Sequence, residues 1–307
     1  MKVAFLNLCH CDPDVVARVS KKLLKCPDFD MYIHVDKKSD ISPFQDKMKD
    51  CSRVYFTKNR VSVYWGSYSA IEATLELMRT AINSGIHYDR FVLFQNLDYP
   101  IKSNEFILQF FEKNKDVEFI RGCKIAKSKD PQFCFKYKLY HDYESPFYKS
   151  NKSFGKKLVH GIKKLLQSLS TIGFDGVIKD GNEKYPLYYG AAQWALTNQA
   201  VSYILEFEKT HPGFNHKMKH IQFPDEEYFH TIIHNSEFKY KCFKYDEPVQ
   251  RWLVNWRNLH YFEFPKEVTV FGKEDFDKLM LRRELFCRKV RTGVSDSLMD
   301  LIDKETE

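Results

Sequence analysis

The strongest constraint in this sequence is an alternation through its first 120 residues, where short apolar runs of strand length are separated by stretches with helical spacing. Val3 to Leu8 is the first such run. Asp12-Pro13 follows, then Val15, Val16, Val19, Leu23 and Leu24 at helical intervals, so Asp12 is expected to cap a helix that starts on Pro13. Met31 to Val35, Val54 to Phe56, Phe91 to Phe94 and Val117 to Ile120 read as four further strands. Ser69 to Ile82 is an amphipathic helix through Ile71, Leu75, Leu77, Met78 and Ile82, and Phe106 to Phe111 lies in another. Strands alternating with helices fold as an α/β domain with an open, mostly parallel central sheet flanked by helices. Such sheets bind ligands beyond the carboxyl ends of their strands. Three polar clusters fall at those ends: Asp36-Lys37-Lys38, Val63-Tyr64-Trp65-Gly66 and Asn96-Leu97-Asp98.

The rest of the chain is less regular. Pro131 to Ser153 is aromatic and lysine-rich text, read as a long loop or small insertion. Lys156 to Leu169 is a basic amphipathic helix with Leu158, Val159, Ile162, Leu165, Leu166 and Leu169 on one face and Lys156, Lys157, His160, Lys163 and Lys164 elsewhere. Such a helix either docks on its own protein or lies on an anionic membrane surface. Helices are also expected around Val201 to Phe207, from Asp225 to His234 and from Ser295 to Asp303. No internal repeat or linker interrupts the 307 residues, so one compact domain is expected, divided as 1–120, a variable insertion over 121–185, and 186–307.

The formal charge of +7 favours anionic partners such as phosphates or acidic lipid, or is simply a solvated lysine-rich surface. No nucleic-acid-binding motif accompanies it, so no nucleic-acid partner is expected. Eight cysteines are scattered without a CxxC pair. Cys9-His10-Cys11 is their one cluster, and it lacks a second ligand pair at zinc spacing. No run of 18 apolar residues occurs, and the apolar stretch in MKVAFLNLCH is too short for a signal peptide's core. A reducing cytoplasm is the expected compartment, with peripheral contact at the inner face of the membrane through the basic helix.

Three stretches carry chemistry. In FVLFQNLDYPIKSN, Asp98 stands just past a strand, and a carboxylate two residues earlier would make a metal pair, but that position is Asn96. In FPDEEYFHTIIHNS, Pro224 and Asp225 start a helix with Asp225 as its cap, and Glu226 and Glu227 fill the first turn. Helical phase sets the two glutamates about 100° apart, so one faces a cleft and the other is solvated. The dipole that favours acids there would also hold a general base ionised. Glu227 to His230 has the E-x-x-H spacing of di-iron sites, but the second such motif is missing. In PKEVTVFGKEDFDKLMLRRELFCRKV, Lys266 precedes a strand and Arg288-Lys289 follows a helix. They converge on a diphosphate or form a solvated cluster, and the residues alone leave both open.

Six collinear stretches resemble the core-2/I-branching β-1,6-N-acetylglucosaminyltransferase family, which includes the peptide O-xylosyltransferases. YIHVDKKSD resembles its first nucleotide-side motif. VYWGSYSAIEATLELM resembles W-G-G-x-S, with Ser67 for the second glycine. LFQNLDYPIKSN resembles L-S-G-x-D-Y-P-L-K-T-N, with Gln95-Asn96 for Ser-Gly. YYGAAQWALTNQAVSYIL resembles G-S-x-W-F-x-L-S-R-x-x-V-x-Y-I-L, with Ala191 for Ser and Asn198 for Arg. FPDEEYFHTIIHNSEF resembles S-P-D-E-x-x-x-x-T-x-x-x-N-S-x-F, and ELFCRKV resembles x-L-F-A-R-K-F. The match is weakest over 121–185.

The resemblance implies a GT-A-like fold and an inverting, metal-independent transferase that moves a sugar from a UDP-sugar, UDP-GlcNAc first and UDP-xylose as the alternative, to a glycan or glycolipid. It implies no metal and no other cofactor. Residues 1–120 become the nucleotide half and 186–307 the acceptor and catalytic half. Glu226 matches the base of the P-D-E motif. Asp36 and Tyr64 fall near the nucleoside, and Asp98 matches the D-Y-P aspartate. Lys266 falls where some members carry an arginine on the diphosphate, and Lys289, with Arg288 beside it, where they carry a lysine. A lysine at 266 keeps the charge but not bidentate geometry. Gln193, Trp194, Asp225 and Trp256 fall on the acceptor side, with the two tryptophans as sugar-facing walls. The missing signal anchor points to a bacterial-type member. The reading from a different class is a basic module that binds membrane or nucleic acid without catalysis.

Overall fold

The computed structural model describes residues 1–130, 173–243, 258–264 and 267–307, with the single positions 133, 137, 161 and 165. Its strands are β1 (Val3–Cys9), β2 (Phe29–Val35), β3 (Val54–Phe56), β4 (Arg90–Gln95), β5 (Asp98–Pro100), β6 (Cys123–Lys124), β7 (Val177–Asp180), β8 (Glu183–Pro186), β9 (Tyr188–Tyr189), β10 (Ala195–Thr197), β11 (His260–Phe262) and β12 (Phe286–Arg288). The helices are α1 (Pro13–Leu23), α2 (Ser42–Met48), α3 (Ser69–Ile82), α4 (Asn104–Lys113), α5 (Asn198–Thr210), α6 (Pro212–Met218), α7 (Tyr228–His234), α8 (Phe276–Met280) and α9 (Asp296–Glu305).

The central sheet runs β10-β4-β1-β2-β3. Its three pairings through β1 and β2 are parallel, and β10 closes one edge antiparallel to β4. The mainly parallel sheet flanked by helices is the expected architecture. β1 is buried on both faces, which explains its unbroken apolar run. Ala4 and Leu6 point into one core with α3, α5 and α7, while Val3 and Phe5 point into the other with α1, α4 and α9. Asp12 caps α1 as the sequence implies, its carboxylate accepting from the Val15 amide at 3.3 Å.

A second sheet, β11-β12-β5, lies against the lower core. Phe286 of β12 stacks edge-on to Phe5 (6.2 Å between centroids) and Phe94 (4.7 Å), which joins the two sheets. Truncating Phe5 to alanine would remove that joint at a cost of about 3–5 kcal/mol. The register sets Arg288 opposite Asp98 and Phe262 opposite Arg288, so residues distant in sequence meet by strand pairing.

Several boundaries differ from the sequence expectations. Val117 to Ile120 forms no strand; Glu118 and Phe119 make only isolated bridges to Cys242 and Ala195, because β10 already occupies that edge. The expected helix from Asp225 is broken. Pro224–Glu226 is a 3-10 turn, entered from Phe223 at φ 52°, and α7 starts at Tyr228, so Asp225 is not its cap. Arg288 follows α8 as expected, but it ends the strand β12 that intervenes. Lys156 to Leu169 and nearly all of Pro131 to Ser153 lie outside the described residues. Among the described residues no helix is long and apolar enough to cross a membrane.

Candidate active site

The carboxyl ends of β1 and β4 meet at Asn96. This residue sits at φ 44°, a left-handed conformation that asparagine tolerates better than most. Its side-chain carbonyl accepts from the amides of His10 (2.8 Å) and Cys11 (3.1 Å), and its own amide donates to Leu8 O and Asn7 Oδ1, both at 2.9 Å. Asn96 is therefore a staple between two strand exits, its amide oxygen committed to backbone. Among the described residues no three His, Cys, Asp or Glu side chains gather as metal ligands.

Asp98 faces away from that staple. Its side chain is fully buried; Oδ2 accepts from the Gln95 amide at 2.7 Å, and Oδ1 from Arg288 Nη1 at 2.8 Å. The same guanidinium nitrogen donates to the Gln95 carbonyl. Behind the pair, His260 Nε2 lies 3.4 Å from Oδ2. Burial lowers the pKa of that imidazole to about 4, against the pull of Asp98, so the ring is neutral at pH 7. The expectation of Asp98 on the donor is thus revised: the carboxylate is one layer back, and Arg288 is the group it presents.

A cleft of about 630 Å³ opens above this layer, lined among others by His10, Tyr64, Trp65, Gln193, Glu226 and Arg288. A larger depression of about 900 Å³ lies between α1, the start of α4 and α9. Three of its lysines are already paired, Lys22 with Asp303 of α9, Lys25 with Glu307 just beyond it and Lys47 with Asp14, and none of the sequence-derived site residues lines it. The smaller cleft, beyond the strand ends, is the chemically equipped one.

On one side of the cleft, Asp36 is buried at the exit of β2 and ties two loops. Its Oδ1 accepts from the amides of Lys38 (2.9 Å) and Val63 (3.3 Å), and Lys38 Nζ is 3.3 Å from Oδ2. That ammonium also lies 4.2 Å from the Tyr64 ring centroid. Tyr64 lines the cleft, and Asp36 supports it from behind.

On the other side, Glu226 lines the cleft and its carboxylate takes a hydrogen bond from the Tyr189 phenol. Burial, then Glu226 and Glu227, raise that phenol's pKa, so it stays protonated as a donor. The Gly190 amide donates to Glu226 O at 2.9 Å. A Cβ on Gly190 would stand 2.1 Å from Arg121 O and 2.5 Å from His230 Nε2, so only glycine fits between the Arg121 backbone and the buried His230. Glu227 is 0% exposed, which corrects the expectation of a solvated neighbour: the 3-10 turn sends it into the core.

The remaining candidates divide. Gln193 and Asp225 line the cleft, and Gln193 Nε2 donates to Gln95 Oε1 at 2.9 Å. Trp194 is not a wall: it is 1% exposed and packs on Phe229, because the residues around it form β10 and its ring falls on the core face. Lys289 is half-buried next to Arg288, with its backbone bonded to Thr269 and Phe271, and does not line the cleft. Lys266 and Trp256 lie outside the described residues. Sequence reasoning missed Tyr189, Phe223 and His10 as cleft residues, and named Trp65 only within the Val63-Tyr64-Trp65-Gly66 cluster. Trp65 stands inside a quoted motif, but nothing in its neighbours distinguishes an exposed tryptophan from a core one.

The model of the family described as Core-2/I-Branching enzyme matches residues 3–280. Arg288 and Lys289 fall beyond that span. Xylosyltransferase 2 of Rattus norvegicus and of Homo sapiens are each 22% identical over 324 aligned positions, covering 99% of this chain and 33% of theirs. Xylosyltransferase oxt of Drosophila melanogaster is 23% identical over 233 positions, covering 70% of this chain and 22% of its own. The chain thus spans about a third of the length of these curated relatives.

Proposed function

The chain belongs to the core-2/I-branching enzyme family of glycosyltransferases, and from that premise we propose that its cleft moves a sugar from a UDP-sugar to a glycan hydroxyl with inversion and without a bound divalent metal. The observation that carries this reading is one cleft faced by both the Glu226 carboxylate and the Arg288 guanidinium, each held by a buried partner, Tyr189 and Asp98. Glu226 takes the proton of the acceptor hydroxyl as its oxygen attacks the anomeric carbon from the side opposite the nucleotide. Negative charge then develops on the leaving diphosphate, and Arg288 is the fixed cation beside it. A guanidinium already oriented by a carboxylate needs little reorganisation as that charge appears.

The donor we propose is UDP-GlcNAc, giving a β-linkage. UDP-xylose is a second reading, favoured by the xylosyltransferase names of the relatives. The test is a thermal-shift and product assay with both donors, with and without excess EDTA. Stabilisation and turnover by one donor in EDTA are expected. Loss of turnover on chelation, restored by manganese, would sink the metal-free part; no response to any UDP-sugar would sink the whole reading.

A further inference from the structure

The side chain of His260, in β11, is 2% exposed. Its ring is wedged between two phenylalanines, edge-on to Phe94 (5.3 Å between centroids, planes at 79°) and tilted against Phe286 (4.8 Å, 37°). A phenylalanine would serve that packing and bring no polar atoms. Yet among the described residues neither ring nitrogen of His260 has a hydrogen-bond partner. A buried polar ring of this kind costs stability, and nothing in the resting fold offsets it. Nε2 stands 3.4 Å from Asp98 Oδ2, close to the carboxylate but outside hydrogen-bonding geometry. Strand pairing fixes this neighbourhood: β12 lies between β11 and β5 and sets Phe286 opposite His260 and Arg288 opposite Asp98.

We propose that His260 is a positioning residue for donor binding, the second partner of Asp98, whose Nε2–H donates to Oδ2 when Arg288 engages the donor diphosphate. The proposal rests on the reading of Arg288 as the cation beside that diphosphate. In the resting site each Asp98 oxygen has its donor, the Gln95 amide on Oδ2 and Arg288 Nη1 on Oδ1. A bound diphosphate gives the guanidinium a second anion to serve. Asp98 is fully buried, so water cannot replace the share of charge that it then loses. Oδ2 has a lone pair left for another donor, and the neutral imidazole has one N–H to give. A small shift of the ring closes the 3.4 Å gap. The buried thiols of Cys9 and Cys287 also feel the Asp98 charge, but a thiol is a weak donor, and that of Cys9 already faces Asn7 O at 3.8 Å. A neutral donor suits this place better than a second cation. It steadies the carboxylate without cancelling the charge that keeps Arg288 in aim.

The experiment is UDP titration and thermal melting of the whole chain as wild type, His260→Phe, His260→Gln and Arg288→Met, with nitrogen NMR of the wild-type imidazoles before and after UDP. His260→Phe removes the unpartnered nitrogens, so it should melt at or above wild type. It should nevertheless bind UDP about tenfold more weakly, the scale of one hydrogen bond to a charged group. His260→Gln, whose amide nitrogen reaches about as far as Nε2, should recover most of that affinity. The His260 signal, assigned by its absence from His260→Gln, should shift to that of a hydrogen-bonded Nε2–H when UDP is added. Wild-type UDP affinity in His260→Phe, or an imidazole that does not respond to UDP, would overturn the proposal. If His260→Phe melts well below wild type, the imidazole spectrum decides, because it needs no folded variant beyond His260→Gln for assignment. Failure of the underlying reading shows separately: Arg288→Met with undiminished UDP affinity would remove the diphosphate cation itself, and the role of His260 with it.

Discussion

Asp98→Asn is the substitution with the most informative outcome. Asp98 accepts from two donors on two different oxygens, the Gln95 amide at 2.7 Å and Arg288 Nη1 at 2.8 Å. An asparagine has one carbonyl, so its NH₂ group must face one of those donors. The side chain is fully buried and that of Arg288 is 23% exposed, so water relieves the arginine only in part. Breaking one partner of a buried pair costs about 3–5 kcal/mol, and the partial exposure of Arg288 places this case near the lower end, about 3 kcal/mol. For a chain of this length that corresponds to a melting temperature lower by about 5 °C. Donor binding should weaken as well, because the guanidinium loses the group that aims it. The assay is calorimetry plus UDP titration on Asp98→Asn, Arg288→Met and the double variant. The double variant should lose much less than the sum of the two, since each single change already breaks the same contact. Strictly additive losses, or an Asp98→Asn protein with wild-type stability and UDP affinity, would refute the argument that Asp98 acts through Arg288.

Two other outcomes follow from the site and the core. Glu226→Gln should lower turnover by about 10²–10⁴-fold with little change in melting temperature, whereas Glu227→Gln, at a fully buried position, should be felt mainly in stability; kinetics and calorimetry on both variants decide it, and the reverse pattern would assign the base to the wrong residue. Buried His34 and His260, and half-buried His234, have pKa values lowered to about 4, and buried His230 to about 3, all chiefly by desolvation. Unfolded, these rings take up protons near pH 6.5, so stability is complete above that pH and is lost as pH falls toward 4, by up to about 1.4 kcal/mol per pH unit for each ring. A melting temperature that stays flat from pH 7 to pH 5 would mean the rings are already protonated in the fold.

The parts of this molecule that the sequence made legible are those fixed by local periodicity. β1 and β4 are apolar because both their faces are covered, and α1 begins where Asp12-Pro13 says it should. What stayed hidden was decided by pairing at a distance. Asp98 and Arg288 reveal their relation only through the register of β5 and β12. Trp194 and Trp65 are both single tryptophans in mixed company, and only their places in the fold, beside β10 or in the turn ahead of α3, separate a core ring from an exposed one. Glu226 and Glu227 divided as expected, but by a tight turn rather than a helix, which is why the second is buried instead of solvated.

The pairing of β5 with β12 also bears on how the chain is made. Asp98 and Arg288 are 190 positions apart. A ribosome adding about 5–20 residues per second needs about 10–40 s to produce the arginine after the aspartate. Throughout that interval a carboxylate bound for full burial has no counter-charge, and the edge that β12 will cover stands open to other strands. The β11-β12-β5 sheet is therefore completed late in synthesis, and until then the nascent protein has the Asp36 and Tyr64 side of its cleft but not the Arg288 guanidinium.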